Sequence, residues 1–245
     1  VSRFGHLPDP ATALVVGASG GIGAALARAL EADRRFRVIR TARRPERCEG
    51  EALALDLEED ASIEALAASL QERTERLDLV LIASGLLHDD HRDIHPEKRL
   101  QDLRRDALER HFSINAIGPL LLAAALAPLL PRRDPCIWGT LSARVGSIED
   151  NRAGGWYGYR ASKAAQNMFT RTLAIELGRR HRGLACVALH PGTVTTGLSA
   201  PFRRPEDDGV MSPDIAADHL LAVIAGLDAG DTGRFLAWDG REIPW

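Results

Sequence analysis

At 245 residues the chain is long enough to bury a full core in one α/β domain. Its 45% hydrophobic and 27% charged residues fit a globular protein, and a formal charge of -3 with scattered arginines argues against a nucleic-acid-binding surface. Cys48, Cys136 and Cys186 are widely spaced and form no CxxC pair, so reduced thiols are expected rather than a disulfide framework or a metal site.

Residues 13–16 form a short apolar run ending in glycines, and a helical pattern follows through residue 30. Residues 36–39 and 52–55 are the next strand candidates. Helical spacing over 61–76 then gives way to a strand at 79–83. One long helix is predicted over 105–130, a fifth strand over 136–141, a second long helix over 159–180 and a strand over 184–189. A helix over 213–227 and a strand over 235–238 close the pattern. The longest apolar run, 120–130, is bracketed by Pro119 and Pro131 and is too short to span a bilayer. No basic segment precedes an apolar run at the start, so a cytoplasmic protein without a membrane span is expected. Alternating strands and helices predict one domain over 1–245. Its fold is α/β, a doubly wound, Rossmann-type parallel sheet of about seven strands with helices on both faces.

Gly17, Ser19, Gly20, Gly21, Ile22 and Gly23 lie where the first strand turns into the first helix. Glycines there let the backbone approach a pyrophosphate, and the helix N-terminus offers free N–H groups to it. A tight turn alone would also explain them, but strand and helix both stand in place. The second strand ends in Arg40-Thr41-Ala42-Arg43-Arg44, with no carboxylate to hold a ribose 2′-hydroxyl. Arg43 and Arg44 suit a 2′-phosphate, which favours NADP(H) over NAD(H); the bland alternative is a solvated basic loop. Asp56, followed by Leu57, could accept from an adenine amino group or be an ordinary loop carboxylate. Tyr159 and Lys163 are four residues apart and so share a helix face. An ammonium beside a phenol favours its ionised form and makes it a usable acid or base; chance sharing of a surface is the alternative.

The glycine cradle, Asp56, Asn115, Tyr159 with Lys163, and Pro191-Gly192, in this order and spacing, resemble the short-chain dehydrogenase/reductase family over nearly the whole chain. The stretch 154–163 and the ending 238–245 are similar to its C-factor-like, carbonyl-reductase-related branch. The resemblance implies that Tyr159 protonates a substrate carbonyl oxygen or deprotonates the alcohol. It implies that Lys163 lowers the Tyr159 pKa and holds the nicotinamide ribose. Asn115 would kink its helix and hold a water that relays protons to Lys163. Pro191, Gly192, Val194 and Thr196 would pass the nicotinamide, and Ala83 and Gly85 would lie along the cofactor. The implied reaction is NAD(P)H-dependent reduction of a ketone or aldehyde, or its reverse; a dinucleotide-binding signalling or regulatory protein with vestigial catalysis is the alternative. Epimerase or dehydratase chemistry is a weaker third reading, since the length leaves little room for a large substrate domain. A homo-oligomer, dimer or tetramer, is expected through the two long helices.

Two positions depart from the family pattern. Ala143 stands where the family has a carbonyl-polarising serine; Ser142 is one residue early and needs a bulge to re-aim it, and Ser147 is a second candidate. Ala83-Ser84-Gly85 replaces the usual amide-bearing stretch, which puts the bracing of the central sheet in doubt. The run His88-Asp89-Asp90-His91-Arg92-Asp93-Ile94-His95 resembles a metal-ligand cluster, but a solvated loop at the active-site mouth is the expected reading. Residues 195–212 are expected to form a substrate lid, with a plain surface connection as the alternative.

Overall fold

The computed structural model describes residues 3–202 and 204–245; Arg203, inside the predicted lid, lies outside the described residues. The sheet is built from β1 (Ala11–Val16), β2 (Phe36–Ala42), β3 (Leu53–Ala54), β4 (Leu79–Ile82), β5 (Cys136–Leu141) and β6 (Leu184–His190). A last strand, Phe235–Ala237, completes it. The order is β3-β2-β1-β4-β5-β6 and then this last strand, and each of these neighbouring strands pairs in parallel with the next. The chain runs outward from β1 in one direction, then returns to build from β4 in the other. That reversal opens a crevice beyond the carboxyl ends of β1 and β4, the usual ligand position in such sheets.

The central strands β1, β4, β5 and β6 are buried on both faces, which is why they read as continuous apolar runs. The period of two still sorts their side chains. Ala13, Val15, Leu79, Leu81, Ile137 and Val187 face one core, shared with α1 (Gly21–Ala32) and with Leu220 and Ile224 of a late helix, Pro213–Ala225. Leu14, Val16, Val80, Ile82, Trp138 and Cys186 face the other, shared with α2 (Asp60–Arg73).

The helix predicted over 105–130 is interrupted. It runs as α3 (Arg105–Phe112), a π turn over Ser113–Ile117, α4 (Gly118–Leu126) and a final 3₁₀ turn. Pro119 has no N–H to give to the carbonyl of Asn115, and the ladder widens there so that the Gly118 N–H reaches back to the Ser113 carbonyl. Among the described residues this composite helix, Arg105–Leu129, is the one stretch long and apolar enough to cross a membrane. It packs against α2 and α5 (Tyr157–Leu177) and buries Arg110, His111 and Asn115. Helix α5 starts two residues before its predicted position, behind Trp156 in the left-handed conformation (φ 52°).

Two strands too short for periodicity to reveal are also present: β7 (Thr193–Val194) and β8 (Val210–Met211), which pair in parallel. They fasten the two ends of the predicted lid side by side, so β9 is the last strand of the main sheet (Phe235–Ala237) and α6 is Pro213–Ala225.

Candidate active site

The turn after β1 is shaped by backbone that side chains would block. Gly17 has φ +83°, and a Cβ there would sit 2.9 Å from the Ser84 nitrogen. A Cβ on Gly23 would lie 2.3 Å from the Gly17 carbonyl oxygen. The N–H groups of Gly17 and Ala18 both donate to the Thr41 carbonyl at the end of β2, at 3.0 and 2.9 Å. This bond brings the glycine turn to the strand end that carries Arg43 and Arg44. Both are exposed and, among the described residues, neither guanidinium has a hydrogen-bond or ion-pair partner, whereas Arg40 is paired with Glu31. A helix N-terminus at this turn, beside two unengaged guanidiniums, fits the phosphates of a dinucleotide. Asp56 shows a local role: one carboxylate oxygen accepts from the Glu58 N–H at 3.0 Å. Leu57 is buried, and its carbonyl presses against Gly118, where a Cβ would come within 2.4 Å.

At the crevice the structure brings together Gly85, Asn115 and Lys163, and Tyr159 lies one turn before Lys163 on α5. A Cβ on Gly85 would lie 3.5 Å from Asn115 Oδ1 and 3.6 Å from Lys163 Nζ. The Asn115 amide, held by the π turn, accepts from the Leu86 N–H at 2.7 Å and donates to the Leu86 carbonyl at 2.8 Å and Ser162 Oγ at 3.0 Å. These bonds brace the segment after β4, where the sequence lacks the family's amides. His111 adds a bond from Nε2 to the Leu87 carbonyl at 3.2 Å, and Arg110 holds Asp89 at 2.6 Å.

Tyr159 and Lys163 are both buried, at 7% and 3% exposure. Burial raises the Tyr159 phenol above its ordinary value and pulls the Lys163 ammonium down to about 7. Desolvation is the cause in both cases. Lys163 Nζ donates to the Leu141 carbonyl and to Gln166 Oε1, each at 2.9 Å. An ammonium has three donors, so one is left for another partner. His190, at the end of β6 before Pro191, is lowered to about 4 by burial and is neutral.

Ser142 is not brought to this group. The ladder of β5 with β6 continues regularly, Ser142 donating its N–H to the Leu189 carbonyl, and Ala143 is extended (φ -141°, ψ 144°). Without a bulge Ser142 faces away from Ala143, and its hydroxyl donates to Asn167 Oδ1 at 2.6 Å. Ser147 is engaged as well, with the Trp245 carbonyl at 3.2 Å and the Asp150 N–H at 3.1 Å.

The remaining predicted residues gather above the crevice. Gly192 has φ +81°, and a Cβ there would strike Met211 and Trp238. Val194 is buried in β7. Thr196 reaches the cradle, since a Cβ on Gly21 would meet its Cγ2 at 2.9 Å. In the segment 195–212, Leu198 points toward Gly85, and Phe202 lies between Trp156 and His88, with ring centroids at 5.3 and 5.8 Å. His88 Nε2 is 3.0 Å from the Gly197 carbonyl. The polar run 88–95 is thus spread over several tasks, and Asp89 serves Arg110. Sequence reasoning missed Glu97, which is 3% exposed and accepts from the Gly158 N–H at 3.1 Å in the first turn of α5. The glycine inside a helical start, Tyr157-Gly158-Tyr159, was the available signal of a close approach.

A sequence profile of the short chain dehydrogenase family matches residues 11–207. The chain is 35% identical to a 1-hydroxy-2-glutathionyl-2-methyl-3-butene dehydrogenase of Rhodococcus sp. (strain AD45), over 96% of this chain and 99% of the relative. It is 38% identical to C-signal of Myxococcus xanthus over 60% of this chain and 83% of the relative. Among solved structures it is similar to the NADPH-bound carbonyl reductase from chicken fatty liver, with a TM-score of 0.82, 27% identity and coverage of 99% and 98% of the two chains. A short-chain dehydrogenase/reductase from Burkholderia multivorans with bound NADP gives a TM-score of 0.78 at 30% identity, covering 97% and 100%. The chain belongs to the short-chain dehydrogenase family of oxidoreductases, whose fold holds a nicotinamide dinucleotide.

Proposed function

We propose that this protein is an NADPH-dependent reductase of a ketone or aldehyde, working through Tyr159 and Lys163. The observation that carries the reading is the convergence of Lys163 Nζ and Asn115 Oδ1 on the backbone of Gly85, on the helix face that also bears Tyr159. The nicotinamide, when bound, supplies the hydride. Gly17, Gly21 and Gly23 would admit its phosphates, Arg43 and Arg44 its 2′-phosphate, and the segment Pro191–Thr196 its carboxamide side. Tyr159, held neutral by burial, carries the proton that a carbonyl oxygen needs as it becomes an alcohol. Lys163 has one donor left for a ribose hydroxyl. Leu198, Trp156 and Phe202 exclude water from the mouth and favour an apolar substituent on the substrate.

The test is turnover of a carbonyl panel with NADPH, run alongside oxidation of a glutathionyl alcohol suggested by the Rhodococcus relative. Tyr159→Phe is expected to lower kcat/KM by roughly a hundredfold or more while NADPH binding persists. Full activity in that variant would exclude the phenol as the acid. A second reading, a dinucleotide-binding signalling protein, is favoured by Ala143 together with the engaged hydroxyl of Ser142. It predicts tight NADPH binding without turnover. A second copy of the chain is the proposed partner of the exposed Met168 and Ile175 on α5; a monomer by sedimentation at micromolar concentration would remove that part.

A further inference from the structure

Lys163 is held along its whole length. Its stem lies against the backbone of the turn Arg144–Gly146, where a Cβ on Gly146 would come 2.8 Å from the Lys163 Cβ. Its tip has two acceptors, the Leu141 carbonyl at the end of β5 and Gln166 Oε1, each at 2.9 Å. Gln166 is 2% exposed and stands three residues after Lys163, so the two share a face of α5. An ammonium only donates, so the amide presents its oxygen to Nζ. The amide makes no other hydrogen bond among the described residues, since Nε2 has no partner in the protein. Its polarity is directed at Lys163 and braces no other element.

Two fixed bonds stop an ammonium from spinning and leave its third N–H one direction. The side left to it is that of Gly85, which is exposed and where a Cβ would lie 3.6 Å from Nζ. An apolar side chain of the same length at position 166 would fill the buried space yet leave the ammonium on one acceptor and free to turn. The ionisable groups on the elements packed around Lys163 are otherwise occupied or neutral. Burial keeps Tyr159 of α5, and Cys186 and His190 of β6, neutral. Arg144 is paired with Asp150, Arg110 of α3 with Asp89 and Glu58, and His111 stands against the Tyr159 ring. No charge contributes to the lowering of the Lys163 ammonium, which burial alone causes.

We propose that Gln166 is a positioning residue for Lys163: together with the Leu141 carbonyl it fixes the ammonium and aims the remaining N–H at the crevice beside Gly85, where the ribose of the nicotinamide would take it. The inference rests on the reading of Lys163 as the residue that holds that ribose. It adds what the tyrosine–lysine spacing does not contain, the group that orders the lysine before the cofactor arrives. A side chain ordered in advance spares the cofactor that cost on binding.

The chain has two lysines, Lys98 and Lys163, so in a Lys98→Arg background isotope-labelled lysine reports on Lys163 alone by NMR. Gln166→Met keeps length and burial but removes the acceptor, whereas Gln166→Glu keeps an oxygen at the same reach and adds a charge. Without cofactor, the titration midpoint of Lys163 is expected to fall in Gln166→Met and to rise by about one pH unit or more in Gln166→Glu. A midpoint unchanged in either variant would overturn the contact. The NADPH dissociation constant is expected to weaken about fivefold in Gln166→Met, because a loose side chain must then be ordered on binding. In Gln166→Glu it is expected to stay within about twofold of the unaltered protein. An unchanged constant in Gln166→Met, or equal weakening from both variants, would overturn the aiming role. If Gln166→Glu does not fold, the midpoint and dissociation constant of Gln166→Met decide alone. A Lys163→Met variant that binds NADPH as tightly as the unaltered protein would instead strike the ribose assignment and leave the midpoint shifts standing.

Discussion

Lys163 is the residue whose protonation most strongly ties the site to the stability of the chain. Its folded-state value of about 7 lies below the roughly 10.4 of an unfolded lysine. Between those values the unfolded chain binds a proton that the folded chain does not, so this lysine makes stability rise with pH from about 7 toward 10 and gives no such gain below that window. Lys163→Met is expected to flatten that rise, so that the Tm of the unaltered protein climbs with pH relative to the variant. Parallel melting curves for the two across the window would show that the ammonium is not desolvated as described. Tyr159 has the opposite sense: its raised value keeps the phenol loaded through neutral pH, which suits proton donation in the reductive direction.

At the scale of elements, the interrupted helix of α3, π turn and α4 organises the crevice by holding the segment after β4. Asn115, His111 and Arg110 take Leu86, Leu87 and Asp89 in turn. Arg110 is 7% exposed and is shared between Asp89 and Glu58, whose carboxylate it meets at 3.1 Å from both Nε and Nη2. It thus joins the loop after β3 to the loop before Asp90. Arg110→Met would leave two half-buried carboxylates facing each other, and a loss of about 3 kcal/mol is expected by urea unfolding. Adding Asp89→Asn should return part of it; no recovery would mean that the two carboxylates do not repel. The strands and the glycine cradle were legible because buried parallel strands are apolar runs and Gly17 and Gly23 have no substitute at a turn this tight. Tyr159, Lys163 and Asn115 were singled out by spacing and resemblance. A kink at Asn115 was expected from the resemblance, and the π turn lies there, with Pro119 as its local cause. Glu97 was not legible, since it stands in the polar run His95-Pro96-Glu97-Lys98 and its partner Gly158 is 61 residues away. The fate of Ser142 likewise depended on Asn167, which no local pattern pairs with it.

For the whole molecule, the proposed preference for NADPH rests on the reversal of the sheet, where the turn after β1 and the end of β2 meet through Thr41. Ala42→Asp combined with Arg43→Ser is expected to move preference from NADPH toward NADH, since a carboxylate there accepts from a ribose hydroxyl and repels a phosphate. Dissociation constants for both cofactors, measured at one ionic strength, check it; a parent that already prefers NADH would contradict the assignment of Arg43 and Arg44. The segment 195–212 is held differently. Its ends are fastened side by side by β7 and β8, with the Thr195 N–H bonded to the Met211 carbonyl at 2.9 Å. The entropy of closing the loop is thereby met largely at its base, and doubling a loop's length adds only about 0.6 kcal/mol. The span between the two short strands can therefore lengthen, shorten or change sequence while the sheet, Tyr159 and Lys163 stay in register, so on the proposed reading of this span as a substrate lid, substrate choice is the part of this molecule most open to evolutionary revision.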